Sequence, residues 1–159
     1  MQHIHILAVG SMKEPAFAAA CGEYAKRLGA YCSLTVTEIP ACRLPKNPGA
    51  AEIERGLCQE GEAILARLPP KAHLTALCVE GTQLTSERFA ASLDELSLAY
   101  PHAAFAIGGS HGLSEEVKQA ARRKLSISAM TFPHQLARVL LLEQLYRSFS
   151  ILRGGKYHK

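Results

Sequence analysis

Three stretches of the sequence carry residue types at spacings that could do chemistry. The first is Ile107-Gly108-Gly109-Ser110-His111-Gly112, a run of glycines directly after an apolar segment. Glycine lets backbone amides approach a ligand closely, and the carboxyl edge of a parallel sheet is where such loops hold small molecules. The spacing is not GxGxxG and no Gly-Lys-Ser/Thr follows, so neither a dinucleotide fingerprint nor a Walker loop is present. A tight turn without a ligand accounts for the same glycines. The second stretch, Leu125-Ser126-Ile127-Ser128-Ala129-Met130-Thr131-Phe132-Pro133-His134, passes through small and polar residues to a proline. Such a loop can offer free backbone donors and acceptors to an adenine edge, and the helix that follows favours anionic groups at its amino end. An ordinary strand-to-helix connection is the plainer account. The third is the set His134, Arg138, Glu143, Arg147 and the terminal Tyr157-His158-Lys159. A spacing of four stacks His134 over Arg138 and Glu143 over Arg147 on a helix. Read plainly, Glu143 and Arg147 make a surface ion pair worth about 0.3 kcal/mol. Read as a site, two arginines, a histidine and an aromatic terminus suit phosphate contact, base stacking and proton transfer.

Other chemistries are disfavoured. His3, His5 and His73 have no carboxylate or cysteine at ligand spacing, so no metal is expected. Gly109-Ser110-His111-Gly112 misses the GxSxG nucleophile elbow by its spacing. The five cysteines are odd in number, scattered and never CxxC, which fits reduced structural thiols. A formal charge of +4 permits a nucleic-acid partner without implying one. The cations gather at the carboxyl end, where Arg138, Arg147, Arg153, Lys156 and Lys159 face only Glu143. No apolar run is long enough to span a bilayer and the opening residues lack signal-peptide features, so a cytoplasmic chain with no membrane partner is expected.

Elements that must position these residues follow from periodicity. With 159 residues, 48% hydrophobic and 20% charged, the chain fits one folded domain, 1–159. Strands are predicted over residues 3–9, 31–39, 73–79, 103–107 and 124–128. Helices are predicted over about 15–28, 51–68, 85–100 and 133–152, with a short basic helix after Ser114-Glu115-Glu116. The strand at 73–79 is expected to end at Glu80-Gly81, and Pro40, Pro45, Asn47, Pro48 and Gly49 mark a mobile loop. Pro133 suits a first helical position, with Thr131 or Phe132 as its cap. Alternation of strand and helix implies α/β architecture, a mostly parallel sheet with flanking helices. On the last helix Val139, Leu140, Leu142, Leu145, Tyr146 and Phe149 spread over two faces, which suggests that a partner chain covers one of them.

Taken together, Ile107-Gly108-Gly109-Ser110-His111-Gly112-Leu113, Met130-Thr131-Phe132-Pro133-His134-Gln135, the run from Arg138 to Arg147 and Tyr157-His158-Lys159 closely resemble the ribosomal RNA large subunit methyltransferase H family, a minimal SPOUT class. The resemblance extends over essentially the whole chain, including Ile6-Leu7-Ala8-Val9-Gly10 and Glu60-Gly61-Glu62. It implies a carboxyl-terminal trefoil knot, an exception to the rule that chains do not thread loops. It also implies a homodimer that binds S-adenosyl-L-methionine in the knot and methylates N3 of a pseudouridine in 23S large-subunit rRNA on the assembled ribosome. By motif, the cofactor contacts fall on Leu77, Gly108, Ile127, Ser128, Ala129, Met130, Thr131 and Phe132. The substrate side falls on Arg138, Glu143, Arg147, Tyr157 and His158, with His158 as base, Tyr157 as a stacking or hydrogen-bonding group and the arginines on phosphate or base. The competing readings are a non-catalytic nucleotide- or ribosome-binding α/β domain, and a flavodoxin-like protein that would carry a yellow flavin.

Overall fold

The computed structural model describes residues 1–158, and Lys159 of the basic terminus lies outside the described residues. The order of elements is β1 (Gln2–Val9), α1 (Pro15–Leu28), β2 (Cys32–Ile39), α2 (Ala50–Ala66), β3 (His73–Gln83), α3 (Ser86–Ala99), β4 (His102–Ile107), α4 (Glu115–Ala120), β5 (Arg123–Ser126) and α5 (His134–Leu152). The five strands form one sheet in the order β2-β1-β4-β3-β5, and every pairing is parallel. Alternate residues of the central strands feed two cores, as a two-residue period requires. Ile4, Ile6, Ala8 and Phe105 pack under α1, α3 and α5. Leu7, Val9, Leu74, Ala76, Ala104 and Ala106 pack under α2 and α4.

Local chemistry explains most boundaries. Pro15 opens α1, where its fixed φ costs nothing, and Lys26 and Arg27 sit at the end that favours cations. Thr85 and Ser114 cap α3 and α4 by accepting from the Arg88 and Val117 amides. Glu52 reaches back to the Gly49 amide at 2.8 Å, and the Cys42 amide donates to Glu60 at 2.9 Å. The proline-rich loop expected to be mobile is thus fastened at both ends.

Several expectations need correction. β3 does not stop at Glu80-Gly81 but runs to Gln83, with a shift of register against β5 between Leu77 and Thr82. Gly81 is the reason, because a Cβ there would lie 2.6 Å from the Leu125 carbonyl carbon. Its missing side chain lets two backbones meet instead of ending a strand. β5 ends at Ser126, since the Ser126 hydroxyl donates to the Ser128 carbonyl and the Ser128 hydroxyl accepts from the Met130 amide. These side-chain bonds replace the ladder and turn the chain. α4 is not basic: it reads EEVKQA, and the cations Arg122, Arg123 and Lys124 follow it. Pro133 itself occupies the cap position of α5 with ψ 141°, and neither Thr131 nor Phe132 caps the helix.

α5 lies between α1 and α3 on the sheet, and the chain after it folds back along it. From His134 to Ile151 no residue of α5 is fully exposed. The second apolar face is therefore covered to this extent within one chain, and helix pattern alone no longer argues for a partner.

Candidate active site

Parallel α/β sheets leave a crevice outside the carboxyl ends of their strands. Here it opens where β3, β4 and β5 end, as a cavity of about 720 Å³. That volume lies inside the range of small-molecule sites. Three backbone segments build it. The first is the turn after β4, in which Gly112 takes φ +81° and its amide donates to the Gly109 carbonyl at 3.1 Å. The turn folds so tightly that a Cβ on Gly108 would overlap the Gly112 carbonyl. Any side chain at residue 108 must open the turn, so glycine is required by close approach. The second segment is the bulged end of β3. The third is the loop 127–132 between β5 and α5.

Of the residues assigned to the cofactor, Leu77, Gly108, Ile127, Ser128, Met130, Thr131 and Phe132 line this cavity. Ala129 belongs to the same loop but is not part of the lining. Met130 is 73% exposed and Ile127 38%, so apolar surface stands open at the mouth. Sequence reasoning missed Glu80 and Lys118, which also line the cavity and pair at 2.5 Å. Lys118 holds the Glu80 carboxyl below its ordinary range, chiefly by donating to it. The Lys118 ammonium is pushed up in turn by Glu80, against an opposing effect of burial. Nothing in the spacing of two residues so far apart announces the pair, which joins the end of β3 to α4.

Arg138 is 4% exposed and donates to Glu38 at 2.7 Å and to the Gly10 carbonyl at 2.9 Å. Nearby, Gln135 accepts from the Lys13 and Glu14 amides, both at 3.0 Å. In one chain, then, Arg138 faces the ends of β1 and β2 rather than open solvent, and it fixes the start of α5 just after the loop 127–132.

The other four substrate-side residues form one cluster. Glu143 accepts from Arg147 Nε at 2.9 Å, from Gln144 at 2.7 Å and from the Tyr157 hydroxyl at 3.2 Å. Arg147 lies over the Tyr157 ring, 4.7 Å from its centroid, and Tyr157 meets the Tyr24 hydroxyl at 3.3 Å. The hydrogen bond to Tyr24 first, then burial and the Glu143 carboxylate, raise the Tyr157 phenol well above its ordinary value and keep it protonated. His158 Nε2 contacts Glu87 at 2.8 Å and its other nitrogen faces Arg147 at 3.4 Å. The Glu87 carboxyl is drawn down to about 2, mainly by its own backbone amide and by Thr85, with His158 adding to both. The cluster does not line the cavity. The α5 wall ends at Ala137, and Glu143 lies ~9 Å farther along the helix axis.

A family model described as "Predicted SPOUT methyltransferase" matches residues 2–158. The chain belongs to the SPOUT methyltransferase family. The ribosomal RNA large subunit methyltransferase H of Pelotomaculum thermopropionicum is 49% identical over 159 residues, covering 99% of each chain. That of Exiguobacterium sibiricum is 46% identical over 157 residues, covering 98% of this chain and 99% of the relative. That of Listeria monocytogenes serotype 4a is 43% identical over 158 residues, again covering 99% of each. SPOUT membership implies the carboxyl-terminal knot and fits the all-parallel five-stranded sheet. Among the described residues no helix is long and apolar enough to cross a membrane, and no cluster of three ligating side chains is arranged for a metal ion. For a SPOUT methyltransferase, the cavity at the carboxyl edge is the candidate donor site.

Proposed function

We propose that this chain is a cytoplasmic, homodimeric enzyme that uses S-adenosyl-L-methionine to methylate N3 of a pseudouridine in 23S rRNA of the assembled ribosome. The observation that carries the reading is the cavity itself. Seven of the eight residues that the motif match assigned to the cofactor line it, in a chain related end to end to large-subunit rRNA methyltransferases.

The residues fit the cofactor. Gly108, without a Cβ, lets the turn fold back on Gly112 and so shapes one side of the cavity, and Leu77, Ile127 and Phe132 offer apolar walls beside free backbone groups of the loop 127–132. The loop spends few of its amides on internal bonds, which leaves donors and acceptors for an adenine edge. S-adenosylmethionine supplies a methyl group already activated on a sulfonium. The protein's tasks are then to align N3, exclude water and accept the N3 proton. Tyr157 offers a ring for stacking, and Arg147 a cation for phosphate. His158, once it leaves Glu87 as a neutral imidazole, has a free nitrogen for the proton. Because this cluster stands away from the cavity of its own chain, a second copy is the natural source of these groups for each site.

The test is transfer of labelled methyl from S-adenosylmethionine to ribosomes that lack the modification. The expected result is label on N3 of one pseudouridine in the large-subunit RNA. Ribosomes that are bound yet stay unlabelled would favour the non-catalytic binding domain instead.

A further inference from the structure

The two edges of the sheet differ in charge. β2 forms one edge with eight residues and no lysine or arginine, and its Val36 is 40% exposed. β5 forms the other edge and is entered through Arg122, Arg123 and Lys124 in succession. Arg122 and Lys124 are exposed and Arg123 is half-buried. Arg123 pairs in register with Thr75 and Lys124 with Ala76, so the two side chains leave opposite faces of the edge. Among the described residues none of the three takes part in an ion pair. The neighbouring carboxylate, Glu80, is held by Lys118, and Arg122 lies over the Tyr100 ring at 5.5 Å. Cations on an edge strand often serve to block pairing with other chains. That purpose would call for them at least as much on β2, which is longer and apolar in part but has none.

Accepting the rRNA substrate proposed above, we infer that the β5 edge is a docking surface for the phosphate backbone of that RNA. The cations are uncompensated, they radiate to both sides of the edge, and β5 continues directly into the loop 127–132 that walls the cavity. An RNA strand whose base enters the cavity would run its phosphates past Lys124 and Arg123. The contacts position the strand and read no sequence.

The test measures ribosome binding and methylation over a range of salt concentrations. It compares the wild type with Arg122→Gln/Arg123→Gln/Lys124→Gln and, as a control, with Lys26→Gln/Arg55→Gln on α1 and α2. Each phosphate neutralised contributes roughly 0.7–0.9 to the slope of log affinity against log salt. The triple variant should flatten that slope by about 2 to 3, so that between 50 and 200 mM salt it loses roughly 30-fold less affinity than the wild type. Its affinity for S-adenosylmethionine should stay unchanged, as should the slope of the control. Arg122→Lys/Arg123→Lys should keep the wild-type slope. Lys124→Gln alone should move it by about 0.8, which keeps the question answerable if the triple variant precipitates. Slopes that match the wild type in both the triple variant and Lys124→Gln would overturn the surface while leaving the methyltransferase reading intact. Wild-type ribosome binding without methyl transfer would overturn that reading and leave the slope comparison standing.

Discussion

The cavity at the carboxyl edge and the cluster on the outer side of α5 are built in opposite ways. The cavity is made of backbone: a glycine turn, a bulged strand and a loop with few internal bonds. The cluster is made of side chains, in which Glu143, Arg147, Tyr157 and His158 satisfy one another and reach to Tyr24 and Glu87. A site of backbone groups with few internal bonds can take a ligand without first breaking side-chain contacts. A side-chain cluster saturated by its own contacts must exchange partners to act, so the two regions should respond differently to mutation.

The largest effect is expected at the turn. Gly108→Arg, and even Gly108→Ala, should lower S-adenosylmethionine affinity about 100-fold in calorimetry, because a Cβ at residue 108 would overlap the Gly112 carbonyl and force the turn open. Near-normal affinity of the alanine variant would show that the turn can open cheaply. Removal of residues 157–159 should break the comparison from the other side, cutting methyl transfer about 10²- to 10⁴-fold, the usual worth of a positioned proton acceptor. Cofactor affinity should hold in the truncated chain, and a parallel loss of both would merge the two regions into one. Arg138→Met leaves the Gly10 carbonyl without its donor and should cost about 1–3 kcal/mol in denaturant unfolding. If the start of α5 also positions the loop 127–132, cofactor affinity will fall with it.

The smallest effect concerns the tail contact. The folded-state value of the Glu87 carboxyl is depressed to about 2 from 4.5. Its contribution is therefore complete above about pH 4.5 and lost as pH falls through 2. Glu87→Gln should lower the melting temperature slightly at pH 7, less near pH 2 and not at all well below it. It should also free His158, so that methyl transfer is retained.

Legibility followed the same division. That Gly108 and the loop 127–132 would flank one cleft was legible in chain order, because β4 runs straight into the glycines and β5 into the loop, whereas Leu77 came only with the resemblance. Helix starts at Pro15, Thr85 and Ser114 were readable because capping is local. Gly81 was misread because a glycine that ends a strand and one that lets strands touch look alike in one dimension. The Glu80–Lys118 pair joins β3 to α4, an approach of two elements that no spacing encodes. Arg138 looked like a free cation because its partners, Glu38 on β2 and the Gly10 carbonyl just after β1, lie about a hundred residues away in the chain. The wide apolar pattern of α5 was visible, but its cover by α1, α3 and the tail required the assembled chain.

The most direct test of the claim that the two regions complete one another across two copies is a mixing experiment. Gly108→Arg chains keep the tail and lack a working cavity, and chains without residues 157–159 keep the cavity and lack the tail. Each should be inactive alone. Mixed and allowed to exchange subunits, they should recover a substantial fraction of wild-type methyl transfer to ribosomes, because one intact cavity then meets one intact tail. Mixtures as inactive as their parents, under conditions where mass spectrometry shows heterodimers, would contradict the account.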